Sequence, residues 1–227
     1  VALPATCFAA AQPDTFQIAD QLGFVPTPQE IVLGGEQYPL DGWMIMGNLS
    51  YPQIATGVSE INDRITHLGG TALPVNPAQP RKHIVEVASV ESMNASERRS
   101  DRAQRAAALG PQGYLIELDR NTAPDAIQVL HVIGADDLGA LYACMTLRQL
   151  IQPGETGPVL LAATVRDWPA FHRRCLGNIG RTWDGETQIA TGMTAAEAFL
   201  AEFKPYVQWL ARHKINMTNV SVPSSLG

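Results

Sequence analysis

The sequence predicts an α/β protein, a two-layer α/β sandwich over residues 25–166 followed by a single β-α-β unit within 167–227. Up to Val165, short β-branched runs alternate with amphipathic helical stretches, as expected of strands covered by helices. Two runs, Gly113–Leu118 (GYLIEL) and Ala126–Ile133 (AIQVLHVI), are rich in strand-forming residues. Asp167-Trp168-Pro169 then interrupts the pattern, because proline lacks a donor and holds its predecessor out of the α region.

Residues 1–24 form an N-terminal segment. Ala9-Ala10-Ala11 before Gln12-Pro13 fits two readings: the remnant of an export signal, implying a periplasmic or secreted protein, or an ordinary mature N-terminus. Pro26-Thr27-Pro28-Gln29-Glu30 is a stiff entry to a first strand, Ile31-Val32-Leu33, with Gly34-Gly35 as its turn. Trp43–Met46 is a second strand. Ser50 is the expected cap of a helix with Pro52 in its first turn. Its apolar face is Ile54, Val58, Ile61, Ile65 and Leu68, and Gly69-Gly70 stops it.

His83–Val90 is the next strand. Met93–Leu109 is an exposed helix or charged loop, and Arg98, Arg99, Arg102 and Arg105 form a solvated face balanced by Glu97 and Asp101. His131 lies within a strand and reads as a structural histidine. Asp136 caps a helix over Leu138–Gln152 that is apolar nearly all round, hence buried on more than one side. Gly139 in its first turn allows another backbone to approach closely. Pro153-Gly154 ends the helix, and Val159–Val165 is the strand leading to the junction.

Cys175–Ile179 opens the second part as a buried strand, followed by the polar loop Gly180-Arg181-Thr182-Trp183. Thr194-Ala195-Ala196-Glu197 is a capping box, and the helix it opens has the core stripe Phe199, Phe203, Val207 and Leu210, with a kink at Pro205. Lys214-Ile215-Asn216 ends that helix, and Met217–Val222 is a second strand. One β-α-β unit cannot bury both faces of a parallel pair, so further polypeptide or a partner is expected to complete it.

Sixteen Lys and Arg against 22 Asp and Glu give a net charge of -6, which argues against nucleic-acid or anionic-membrane partners. No apolar run approaches the roughly 20 residues of a membrane span. Cys7, Cys144 and Cys175 show no metal-ligand spacing, and Cys144 and Cys175 read as core fillers. No metal or cofactor is implied, since the Gly-Gly pairs lack a phosphate-cradling context. Neither Gly-x-Ser-x-Gly nor His-Glu-x-x-His occurs, so other hydrolase chemistries find no support. At the carboxyl end of the Cys175–Ile179 strand and in the loop after it, Asn178, Arg181 and Trp183 are candidate binding residues. Amide and guanidinium donors suit hydroxyls or a carboxylate, and an indole face can stack on a sugar ring. Asp184 and Glu186 on the same loop read as a solvated surface pair.

Five segments carry a family resemblance. They are Val25–Glu30 (VPTPQE), Gly113–Leu118, Gly134–Leu150 (GADDLGALYACMTLRQL), Val165–Arg174 and Trp209–Asn216 (WLARHKIN). The fourth contains Asp167-Trp168-Pro169-Ala170-Phe171-His172-Arg173-Arg174, matching a D-(Y/W)-P-x-F-x-x-R entry motif. In this order they resemble the leading domain and barrel entry of β-N-acetylhexosaminidase-like glycoside hydrolases. O-GlcNAcase-type hexosaminidases and α-glucuronidases are the broader relatives.

The resemblance implies a non-catalytic α/β domain and the first β-α-β of a (β/α)8 TIM barrel, with catalytic carboxylates beyond residue 227. It implies an enzyme that removes a terminal sugar, hexosamine-type or uronate, from a glycan. Arg174 matches the arginine that grips sugar hydroxyls; an ion pair with Asp167 at the domain seam is the other reading. This sequence departs from the family in Arg174-Cys175, where Arg-Gly is usual, and in Asn178-Ile179, where an acidic residue is expected. Val222-Pro223-Ser224-Ser225 likewise replaces the residues that follow Asn216 in the hexosaminidases. A non-catalytic carbohydrate- or protein-binding module is the alternative.

Overall fold

The computed structural model describes residues 22–79, 81–119, 127–176 and 195–218. Its strands are β1 (Glu30–Pro39), β2 (Trp43–Gly47), β3 (His83–Ser89), β4 (Tyr114–Leu118), β5 (Gln128–Gly134), β6 (Ile151–Pro153), β7 (Pro158–Asp167), β8 (Cys175–Leu176) and β9 (Met217–Thr218). Its α-helices are α1 (Pro52–His67), α2 (Asp101–Ala107), α3 (Asp137–Leu150) and α4 (Ala195–Arg212), with a 3-10 turn at Glu97–Arg99. One mixed sheet runs in the order β1-β7-β4-β5-β3-β2, with β6 also paired to β7. β2, β3 and β5 are parallel, whereas β4, β7 and β1 pair antiparallel. β8 and β9 form a separate parallel pair.

Alternation divides the sheet into two unequal faces. Val85, Val87, Tyr114, Ile116, Leu130 and Val132 point to the main core beneath α1 and α3. Leu115 and Ile133 point the other way, to a small cluster with Met93 and with Ala103 and Ala106 of α2. The sandwich is thus two-layered over most of its area, with α2 covering part of the second face. α3 lies at the centre, buried from Gly139 to Leu147. Burial pushes the Cys144 thiol up to about 12, so it is an inert core residue.

Several local expectations shift. Gly34-Gly35 is no turn: β1 continues through it, and the register against β7 shifts between Leu33 and Gln37. Gly35, at φ +84, absorbs the irregularity as a bulge in an edge strand. Tyr51, not Ser50, is the N-cap of α1, because Ser50 spends its hydroxyl and its amide on Asn48 Oδ1. α3 ends at Leu150, and the chain enters β6 directly. Val207 is exposed; the inward face of α4 runs through Phe203, Tyr206 and Leu210. Cys175 is exposed too, its side chain facing away from the core.

Asp136 caps α3 as expected, accepting from Gly139 N at 2.7 Å. A Cβ on Gly139 would overlap the carbonyl oxygen of Gly113 in the turn before β4. That oxygen is already held by Ala135 N at 2.8 Å, so backbone rather than a flexible side chain would have to move. Gly139→Ala is expected to lower stability by about 1–3 kcal/mol in urea denaturation.

Candidate functional site

The helix α4 ends in a left-handed turn. Lys214 N bonds to Ala211 O and Ile215 N to Leu210 O, with Lys214 at φ 55 in the place glycine usually takes. A lysine accepts this backbone because its ammonium crosses into the α/β domain. Lys214 Nζ donates to Tyr114 Oη (2.7 Å) and Asp167 Oδ2 (2.8 Å), and Tyr114 itself donates to the same Oδ2 at 2.8 Å. Thr146 Oγ1 lies 2.6 Å from the Tyr114 hydroxyl, and Gln29 N donates to Asp167 Oδ1 at 3.1 Å. Lys214 is only 4% exposed and Asp167 only 7%, so both charges are drawn out of water and depend on each other. Burial pulls the Lys214 pKa down and Asp167 opposes it; burial, then Asp167, push the Tyr114 phenol well up.

A second tie lies on α1. Glu60, buried there, accepts both Nε (2.6 Å) and a terminal nitrogen (3.1 Å) of Arg212, while Arg148 of α3 approaches to 3.5 Å. Arg212 and Lys214 therefore bind the end of α4 to two buried carboxylates of the α/β domain.

Arg174 lies immediately before β8 and beside this seam. Its Nε donates to Lys214 O (2.6 Å), and its terminal nitrogens donate to Phe171 O (2.8 Å) and Gln112 Oε1 (2.9 Å). Its guanidinium carbon is 5.1 Å from the Tyr142 ring centre. These bonds use three of the five N–H donors a guanidinium carries. Asn216 completes the joint: its Oδ1 accepts from Arg174 N at 2.8 Å, and its Nδ2 donates to His172 O and Gln112 Oε1. The ion pair between Arg174 and Asp167 does not form, because Lys214 occupies the carboxylate. Asn178, Arg181 and Trp183 lie outside the described residues, as do Asp184 and Glu186. Gln112, in a plain Pro-Gln-Gly turn, carries no sequence signal for its part in the joint. Lys214 and Asn216 could be found through the resemblance motif that ends in them.

The opposite face of the sheet carries a second polar cluster. His131 places Nδ1 2.6 Å from Glu86 and Nε2 2.9 Å from Asp119. Arg102 pairs with Asp119 and Glu117, and Arg105 with Glu117 (2.7 Å) and Asp101 (2.8 Å). Arg102 and Arg105 thus hold α2 to the sheet instead of forming a solvated face. Glu97 serves as a local cap on Asn94 N. A cleft of about 340 Å³, lined in part by Met46, Asn48, Met93 and Arg102, opens beside the cluster. Among the described residues, no group of three or more His, Cys, Asp or Glu is placed to hold a metal ion. Nor is any described helix long and apolar enough to cross a membrane.

These two clusters predict different behaviour. Lys214→Met leaves Asp167 buried without its cation and is expected to cost about 3–5 kcal/mol in urea unfolding. For His131, burial pulls the pKa down, but the bonds to Glu86 and Asp119 prevail and raise it. Its stabilising effect is therefore complete below the unfolded value of about 6.5 and is lost as pH rises through the raised folded value. Denaturation midpoints measured from pH 6 upward should fall in the native protein and stay flatter in His131→Gln.

The family pattern described as glycosyl hydrolase family 20, domain 2, matches residues 21–168. No curated protein matches the chain. Among solved structures, the family 20 exo-β-N-acetylglucosaminidase of Vibrio harveyi superposes with a TM-score of 0.55 at 14% identity, covering 92% of this chain and 26% of that one. The N-acetyl-β-hexosaminidase of Streptomyces plicatus gives 0.53 at 17% identity, covering 86% of this chain and 33% of its own. The structure named CpGH84B gives 0.55 at 18% identity, with 88% and 30% covered. At these identities the superpositions speak for the fold, and the chain spans at most about a third of those proteins. The match over residues 21–168, borne on the mixed sheet with α1 and α3 against it, means that this chain belongs to glycosyl hydrolase family 20 and carries its domain 2.

Proposed function

We propose that the chain is the leading part of a glycoside hydrolase that removes a terminal sugar, hexosamine-type or uronate, from a glycan. In this reading residues 25–166 are a non-catalytic α/β domain, and residues 167–227 begin a (β/α)8 barrel whose later strands carry the catalytic carboxylates. The observation that carries it is Arg174: directly after the family-matched segment, a half-buried guanidinium is anchored at the start of β8 by hydrogen bonds to Lys214 O, Phe171 O and Gln112 Oε1. The parallel β8–β9 pair, joined through α4, has the repeating form of such barrels. Arg174, with Asn178, Arg181 and Trp183, is assigned to substrate binding, the charged donor gripping hydroxyls or a carboxylate.

The test uses the full polypeptide that carries this chain, with 4-nitrophenyl N-acetyl-β-D-glucosaminide and a 4-nitrophenyl glucuronide as probes. Hydrolysis of one of them is expected, with Arg174→Ala raising KM about ten- to a hundredfold, the size of a lost charge-assisted hydrogen bond. Binding of the free sugar without hydrolysis of any glycoside would favour a carbohydrate-binding module instead.

A further inference from the structure

We infer that Gln112, a residue of the α/β domain, is the positioning residue that aims the Arg174 guanidinium at the sugar, an inference that rests on Arg174 being a substrate contact. Gln112 sits in the turn before β4 with φ 63. The left-handed region is costly for a glutamine, and such strain persists where the surroundings over-determine it. Gly110, two residues earlier in the same turn, takes φ 77 without strain, yet position 112 keeps a long amide.

That amide bonds across the seam through both its oxygen and its nitrogen. Its Oε1 accepts from Arg174 (2.9 Å) and Asn216 Nδ2 (3.1 Å), and its Nε2 donates to His172 O at 3.0 Å. From the domain side the residue is held by Gln112 N donating to Asp136 Oδ2 at 2.9 Å, the carboxylate that also caps α3. Among the described residues, the Arg174 guanidinium also donates to two main-chain carbonyls and lies over the Tyr142 ring, and Gln112 Oε1 is the side-chain acceptor, at 2.9 Å, that sets its rotation. A neutral amide oxygen orients the cation without neutralising it. A glutamate there would draw the guanidinium into an ion pair and spend the charge the sugar needs.

Two variants separate this role from a structural one. Gln112→Gly relieves the left-handed backbone and removes the amide, while Gln112→Asn suits that backbone but falls one methylene short. In the full polypeptide, both are expected to unfold cooperatively close to the native melting temperature, relief of the left-handed backbone offsetting part of the lost seam bonds, while raising KM for 4-nitrophenyl N-acetyl-β-D-glucosaminide about tenfold. Neither should add to the loss already caused by Arg174→Ala. An unchanged KM in Gln112→Gly, with Arg174→Ala impaired, overturns the inference and leaves the reading of Arg174 intact. So does an equal loss in the presence and absence of Arg174. No effect of Arg174→Ala on hydrolysis or on N-acetylglucosamine binding overturns that reading itself, and with it the aim at a sugar. Hydrogen exchange of the Arg174 Nη–H protons, the ones that Gln112 Oε1 accepts, followed by nitrogen-15 NMR, then decides the clamp separately. Exchange at least about tenfold faster in Gln112→Gly supports it, and unchanged exchange overturns it.

Discussion

Arg212 and Lys214 flank the end of α4, and each delivers a cation to a carboxylate buried in the α/β domain. Charges drawn out of water are tolerated only when geometry and hydrogen bonding compensate their lost hydration. Asp167 meets that condition with Lys214, Tyr114 and the Gln29 amide, and Glu60 with a two-pronged Arg212 beside Arg148. Moving α4 away would strand both carboxylates, so the joint specifies one placement for the unit that follows the domain. The rest of the seam follows from this. With Lys214 in place, its carbonyl meets Arg174 Nε, and Asn216 can bridge Arg174 to the His172 carbonyl.

Strain gathers at the same joint. Lys214 and Gln112 are non-glycine residues in the left-handed region, and both send their side chains across the seam. A glycine would fit either backbone better, and neither glycine could make the contact. Here the local conformational preference yields to a long polar side chain that reaches the neighbouring unit. The domain attributed to family 20 therefore does more than precede the next unit: through Gln112 and Tyr142 it contributes to the surroundings of Arg174.

The far face of the sheet has different physics. α2 is held by a small apolar cluster and a chain of alternating charges from Asp101 through Arg105, Glu117, Arg102 and Asp119 to His131 and Glu86. His131 bridges two carboxylates with its two ring nitrogens, an arrangement that favours the imidazolium. Its partner Glu86 is pulled down mainly by that hydrogen bond, opposed by its own burial.

Periodicity and turn chemistry are local properties, and the sequence by itself determined what depends on them. The apolar face of α1, the Asp136 cap, the close approach at Gly139 and the strands at Tyr114–Leu118 and Gln128–Gly134 were all legible, as was the family through its ordered motifs. Arg174 could be singled out by that resemblance, but its partners could not. Only the tertiary structure decided that Lys214 rather than Arg174 takes Asp167, that Arg102 and Arg105 face sheet carboxylates, and that Cys175 points outward. Asp167 and Lys214 are 47 residues apart, and Gln112 and Arg174 are 62. A charge read along the chain shows its neighbours in sequence, whereas its partner is chosen by which carboxylate folding removes from water.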